Sequence, residues 1–248
     1  VGVGGALCKQ DDHRYGHRGA RSCFDQSGLG GIIPDWFFLM AAGWLVGMMR
    51  AGFGGGVGVV AAPLLALVMP AKMTLGVIAP LVWVTDVISV RYYWRRWETR
   101  TVVTIVPGCI LGVAGGWFLL DVIPEDVFRR LLGGLACVFA LLQPIRERLG
   151  TMMSSPGRLG GTLIGMVTGL ASTMLHSGGV VLMLYLVPQN LPGRRFVATA
   201  FLVGVILNVF KLVPYLDLGL INRETLALDL RMLPALGLGA LSGILLNQ

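Results

Sequence analysis

Residues 159–193 form a run of 35 residues with no Asp, Glu, Lys or Arg. As one straight α-helix this run would be ~52 Å long, against a bilayer hydrocarbon core of ~30 Å. It therefore has to be two segments in an apolar medium, joined near its internal cluster His176-Ser177-Gly178-Gly179. The rest of the chain follows the same plan. Residues 36–49, 51–71, 101–120, 131–145 and 232–248 are also uncharged, while 73–90 and 196–213 carry one charge each, Asp86 and Lys211. Charged residues make up 13% of the chain, about half the ~25% of soluble domains, and mean hydropathy is +0.75. These values exclude a soluble enzyme domain, a disordered chain and a disulfide-stapled module. They specify an all-α, polytopic transmembrane bundle, placed in the cell (inner) membrane. Cys8, Cys23, Cys109 and Cys137 show no metal-ligand spacing, so neither a metal site nor a cofactor is expected.

Residues 1–35 differ from everything that follows. Four basic and four acidic residues cancel there, and no apolar period or signal-type core runs through them. They read as a disordered N-terminal tail.

The remainder divides into two similar halves, 36–143 and 159–248, joined by a cytoplasmic loop at 144–158. The glycine-broken segment with Gly52-Phe53-Gly54-Gly55-Gly56 corresponds to the one with His176-Ser177-Gly178-Gly179. The Asp86 helix corresponds to the helix of Asn208 and Lys211, and PGCILGVAGG (107–116) to LGLGALSG (236–243). Between the starts of the halves the chain crosses the membrane five times if every run is a span, and three times if each broken pair is re-entrant. Both numbers are odd, so the repeats are expected to be inverted. Inverted repeats with interrupted helices at matching positions are the sequence pattern of secondary transporters.

The net charge of +7 alone would suggest an acidic partner such as nucleic acid. Its distribution removes that reading. The loops at 91–100, 144–158 and 188–195 carry nine basic residues and account for the whole excess, which is the cytoplasmic signature of a membrane protein. The alternating loops, 121–130 and 217–231, carry six acidic and four basic residues.

A broken helix in a bilayer has to bury its freed backbone groups or line a polar cavity with them. The breaks at 52–56 and 176–179 are thus candidate walls of one site. A helix restarting after each break offers unpaired N–H groups and a partial positive charge, and glycines let an anion approach. Gly52, Phe53, Gly54, Gly55 and Gly56 with Ser177, Gly178 and Gly179 are the expected contacts for a small anion. Arg50 would add a bidentate guanidinium, or snorkel from a short helix to the interface. Asp86 and Lys211 sit at membrane depth, where charge is rare and functional by default. They would contact substrate or carry a proton, or else form a structural ion pair between the repeats. Asn208 lies one turn before Lys211 on the same face. His176 is a candidate for proton coupling, or a cap residue at the break, and a proton or Na+ is the candidate coupling ion. Ser172 and His176, four residues apart, could form a hydrolase pair, but no GxSxG or HExxH accompanies them. The alternatives to a carrier are a non-transporting membrane subunit or assembly factor and, more remotely, such a hydrolase. No catalytic residue is expected, and a homodimer is the expected assembly.

Several of these residues also resemble a known family in their order. Arg50 to Gly56 followed by Ala62-Pro63-Leu64-Leu65, the Asp86 helix leading into RYYWRRWETR, and GLASTMLHSGG (169–179) resemble the TauE/SafE, or sulfite exporter-like, membrane transporters. So do Phe196 to Ala200 and the ordered set Asn208, Lys211, Tyr215 and Gly219. The likeness runs from about residue 36 onward. It implies a helical carrier that exports sulfite, sulfonates or organic sulfur acids by alternating access.

Overall fold

A computed structural model describes residues 35–53, 57–92, 94–142 and 157–246; the expected tail at 1–35 except Asp35, which begins a helix, glycines 54–56, and the expected connection at 144–158 up to residue 156 lie outside the described residues. Helices account for almost all of the described chain. They are α1 (Asp35–Phe53), α2 (Val57–Leu65), α3 (Ala71–Tyr92), α4 (Thr99–Val122), α5 (Glu125–Leu142), α6 (Arg158–Leu175), α7 (Gly178–Leu186), α8 (Gly193–Asp217) and α9 (Arg223–Leu246), with a 3₁₀ turn at Val187–Gln189. α4, α8 and residues 223–243 of α9 are each long and apolar enough to cross a bilayer.

The long uncharged run does divide at its histidine and glycines. α6 stops at Leu175, His176 takes a left-handed conformation (φ 50°), and α7 restarts at Gly178. α2 and α7 have nine residues each, roughly 13 Å of helix, less than half of a bilayer core. Both expected outer loops are shorter than their charges suggest. α4 runs on to Val122 and α5 begins at Glu125, inside the expected loop 121–130. Residues 217–231 were expected to form an outer loop, yet α9 begins at Arg223 and carries Glu224, Asp229 and Arg231 within the helix. Asn222 makes this early start possible, because its side-chain oxygen accepts from the N–H groups of both Glu224 and Thr225.

The two most extensive helix contacts join the halves crosswise, with α1 on α9 and α4 on α6. Glycines set both. A Cβ at Gly108 or Gly112 of α4 would strike the carbonyls of Thr162 or Met166, and one at Gly165 or Gly169 of α6 would strike those of Ile105 or Cys109. In the other pair, Gly47 admits the Leu236 carbonyl and Gly239 admits that of Trp44. Contacts rise together along both chains, so the helices of each pair run in the same direction. In lipid no hydrophobic gain draws helices together, and such close backbone approach supplies the attraction through packing. Two apolar clusters result. One is centred on α1, α2, α3 and α9, the other on Ile105, Cys109, Leu182, Tyr185, Val203 and Leu207 of α4, α7 and α8.

Charged groups gather at one end of α3. Glu125 accepts from the backbone N–H groups of Ala71 and Lys72, while Lys72 Nζ donates to the Leu120 carbonyl and Arg129 to that of Met69 (3.3 Å). Burial pushes the Glu125 carboxyl above its ordinary 4.5, outweighing these hydrogen bonds and the nearby cations.

Two expected outcomes follow from this packing. Gly112→Val should lower thermal stability in detergent by at least the ~1–3 kcal/mol typical of overpacking, whereas Gly115→Ala, whose Cβ would meet open space, should leave the melting temperature unchanged. For Glu125, the folded state holds its proton more tightly than the unfolded chain does. Its contribution to stability is therefore fully present below pH 4.5 and is lost as pH rises through the raised value. Melting temperature against pH should show that acid-side gain, and Glu125→Gln should flatten it.

Candidate functional site

Four elements bring charge to one place between the apolar clusters. Arg50 comes from the last turn of α1, Asp86 from α3, His176 from the break between α6 and α7, and Asn208 with Lys211 from one face of α8. Asp86, only 4% exposed, pairs with Arg50 and accepts a hydrogen bond from Asn208 Nδ2. The Arg50 guanidinium also lies over the Phe201 ring, 5.2 Å from its centre. Arg50 is therefore held inside by an acid and an aromatic face instead of reaching for the interface. Its Nε is buried and has no hydrogen-bond partner among the described residues.

Lys211 is 2% exposed and pairs with no carboxylate among the described residues. The mutual Asp86–Lys211 pairing weighed from the sequence is replaced by Asp86–Arg50. Lys211 Nζ instead donates to the Ser172 carbonyl (3.2 Å) and to His176 Nδ1 (3.1 Å). An ammonium group only donates, so Nδ1 accepts and the His176 proton sits on Nε2, facing the Leu75 carbonyl at 3.0 Å. Tyr215 closes the arrangement, donating to the Thr173 carbonyl at 2.6 Å with its ring edge-on to His176. Both imidazole nitrogens are occupied, which leaves none to activate Ser172 as a nucleophile. His176 at once caps α6, its N–H reaching the Ser172 carbonyl, and holds Lys211.

These groups surround a cavity of about 50 Å³ lined by Arg50, His176, Gly178, Gly179, Asn208 and Lys211 among others. That is room for roughly three to five water-sized groups. Gly178 is fixed by sterics, since a Cβ there would lie 2.7 Å from both the Thr168 carbonyl oxygen and Ser172 Cβ. Ser177 turns away, its hydroxyl 3.4 Å from the Ala171 carbonyl, and offers α7 no side-chain cap. Gly52 and Phe53 form the end of α1. Gly54 to Gly56 lie outside the described residues, and so does what they contribute to the site.

Sequence reasoning passed over Phe201, Gly204 and the Ser172 carbonyl. Gly204 was legible, because 204, 208 and 211 fall on one helical face, and it faces the Arg50 guanidinium, which lies in ordinary contact distance (3.7 Å) of where a Cβ would stand. The Ser172 carbonyl carried no such signal, since any residue supplies one.

A family model described as Sulfite exporter TauE/SafE matches residues 39–248. No match was found among curated proteins or among solved structures. The match covers both halves, both broken helices and every described group of the cavity, and three of the described helices, α4, α8 and α9, are of membrane-spanning length and apolarity. The chain belongs to the TauE/SafE sulfite exporter family, whose members are integral membrane transporters.

Proposed function

We propose that the cavity between α1, α3, α8 and the 176–178 break is the binding site of a small, singly charged sulfur oxyanion, of the size and charge of hydrogensulfite, exported by alternating access. The observation that carries this reading is the charge balance. With Lys211 protonated, two buried cations face one buried carboxylate, so the site holds one uncompensated positive charge in apolar surroundings. A buried charge needs a partner, and an anion in the cavity supplies it. Lys211 and the unused Nε of Arg50 would meet the anion from two sides, with the uncapped first-turn N–H groups of α7 on a third. The cavity volume admits an ion of four or five heavy atoms. A packed apolar interior at the break would have favoured the non-transporting subunit, and the polar lining supports the carrier instead.

The packing suggests how such a site would open. Each half gives its first helix to the glycine-rich helix of the other, making two tightly seated pairs, α1 with α9 and α4 with α6. Arg50 rides on the first pair and the 176–178 break on the second. Rocking one pair against the other, with inverted repeats giving two equivalent end states, would uncover the cavity from alternate sides.

The test is flux of sulfite, sulfate, thiosulfate and methanesulfonate in proteoliposomes. Sulfite should be carried best, and absence of flux for all four would end the proposal. Lys211→Met replaces a cation lacking an acidic partner with an apolar side chain of similar length. It should cut flux by roughly 10- to 100-fold, the worth of one charged hydrogen bond, while the melting temperature stays close to wild type. Arg50→Ala alone strands Asp86, which costs about 3–5 kcal/mol. The double change Arg50→Met with Asp86→Asn should instead keep the protein folded and abolish flux, and a transporting double variant would remove Arg50 from the site.

A further inference from the structure

We infer that Asp229, on α9 and outside the anion cavity, is a proton-binding site that couples the transport cycle to the proton gradient. Asp229 is 5% exposed, and both of its carboxylate oxygens are buried without a hydrogen-bond partner among the described residues. It takes part in no ion pair among the described residues either. Leu228 and Met232, beside it on α9, belong to the large apolar cluster. An ionised carboxylate left alone in such a place is strongly disfavoured, whereas the neutral acid is tolerated. In the conformation described here the group therefore holds its proton, and it releases that proton when water reaches it.

The charged groups on the helices packed against α9 do not change this. The register set by Gly43 beside Met232 and Gly47 beside Leu236 puts Asp229 level with Met40 on α1. Arg50 lies more than two turns further along and is paired with Asp86. Asp35, at the start of α1, lies more than a turn to the other side. On α3, Lys72 is turned to the Leu120 carbonyl and Glu125, and Asp86 is taken by Arg50 and Asn208. On α9 itself, Arg223 and Arg231 are exposed, and Glu224 lies five residues away on another face.

Geometry separates this acid from the two groups the sequence suggested for coupling. Asp86 could take up a proton only by giving up Arg50, and His176 only by giving up Lys211. Asp229 has nothing to give up. The helix that carries it, α9, packs on α1 and α3, the helices of Arg50 and Asp86. α9 moves with α1 as one seated pair while α3 lies outside that pair, so a movement that rearranges the anion site shifts α3 against α9 and changes the access of water to Asp229. Na+ does not suit the position, because a bound cation needs several oxygens around it, and the Asp229 carboxylate has no polar partner among the described residues.

This inference rests on the transport reading, and two measurements on Asp229→Asn keep them apart. Asparagine matches the neutral acid in shape and charge, so the variant should fold. In proteoliposomes it should keep sulfite exchange at zero pH gradient within about twofold of wild type and lose gradient-driven accumulation. Accumulation that still follows the pH gradient in the variant, or that follows an imposed Na+ gradient in the wild type, would overturn the proposal. Independently of transport, the infrared carbonyl band of protonated carboxylic acid in purified protein at neutral pH should lose intensity from wild type to Asp229→Asn. A band unchanged between wild type and the variant would overturn the assignment, even in a protein that carried no anion at all.

Discussion

An arginine placed at the inner end of a membrane helix has two routes out of its energetic difficulty, to reach for the interface or to find an acid. In this chain it finds Asp86, and much of the remaining site follows from that pairing. Asp86 is then committed and cannot neutralise Lys211, so a second cation stays buried with a carbonyl oxygen, an imidazole and the Tyr215 ring for company. Asn208 is drawn in to satisfy the other carboxylate oxygen, which fixes α8 against α3. Breaking a buried pair by removing one partner costs more than removing both. The ion pair is thus a joint between α1, α3 and α8 as much as it is part of the cavity wall.

The joint can operate because the surrounding helices are held by a different kind of contact. α1 with α9 and α4 with α6 meet backbone to backbone at glycines, which seats each pair tightly. The contacts between these pairs, across α3, α7 and α8, are made by larger side chains and polar groups and are less extensive. Close-packed interfaces resist deformation. Stiff pairs joined by a softer polar seam give a molecule that can change shape at the seam, and the seam is where the charges lie. Binding an anion there would act on the contacts that differ between two shapes, as a ligand must if it is to shift a conformational balance.

Much of this was legible in the sequence because it is periodic or compositional. The uncharged run at 159–193 had to break, and the histidine and glycines marked where; the glycine spacings at 107–116 and 236–243 marked the seats of close packing. Asn208 and Lys211 shared a face by simple helical counting. What stayed hidden depended on choice of partner. Asp86 had two cations open to it, Arg50 and Lys211, and only the placement of α1 against α3 decides between them. The sequence also read 217–231 as a loop because its charges interrupt the apolar pattern. Asn222 nevertheless starts α9 at Arg223, which carries Asp229 out of the water and into the apolar cluster.

That displacement bears on how a carrier with so few charges at membrane depth could use them. Arg50 and Asp86 are engaged with each other and with Asn208, and Lys211 with His176, so a proton added to or taken from any one of them disturbs its partners in the cavity wall. Such a network suits an anion, whose arrival adds one negative charge to a site that has one positive charge in excess. It suits a proton poorly, because protonating Asp86 would release Arg50, and protonating His176 would expel Lys211 from its place. An isolated carboxyl in an apolar setting has the opposite property. Its protonation state depends almost entirely on whether water reaches it, and so it reports the conformation of the helices around it without disturbing the anion's contacts. Keeping the two roles on separate residues lets each site be strong in its own term, charge balance for the anion and burial for the proton, with the helix packing between α1, α3 and α9 as the physical connection between them.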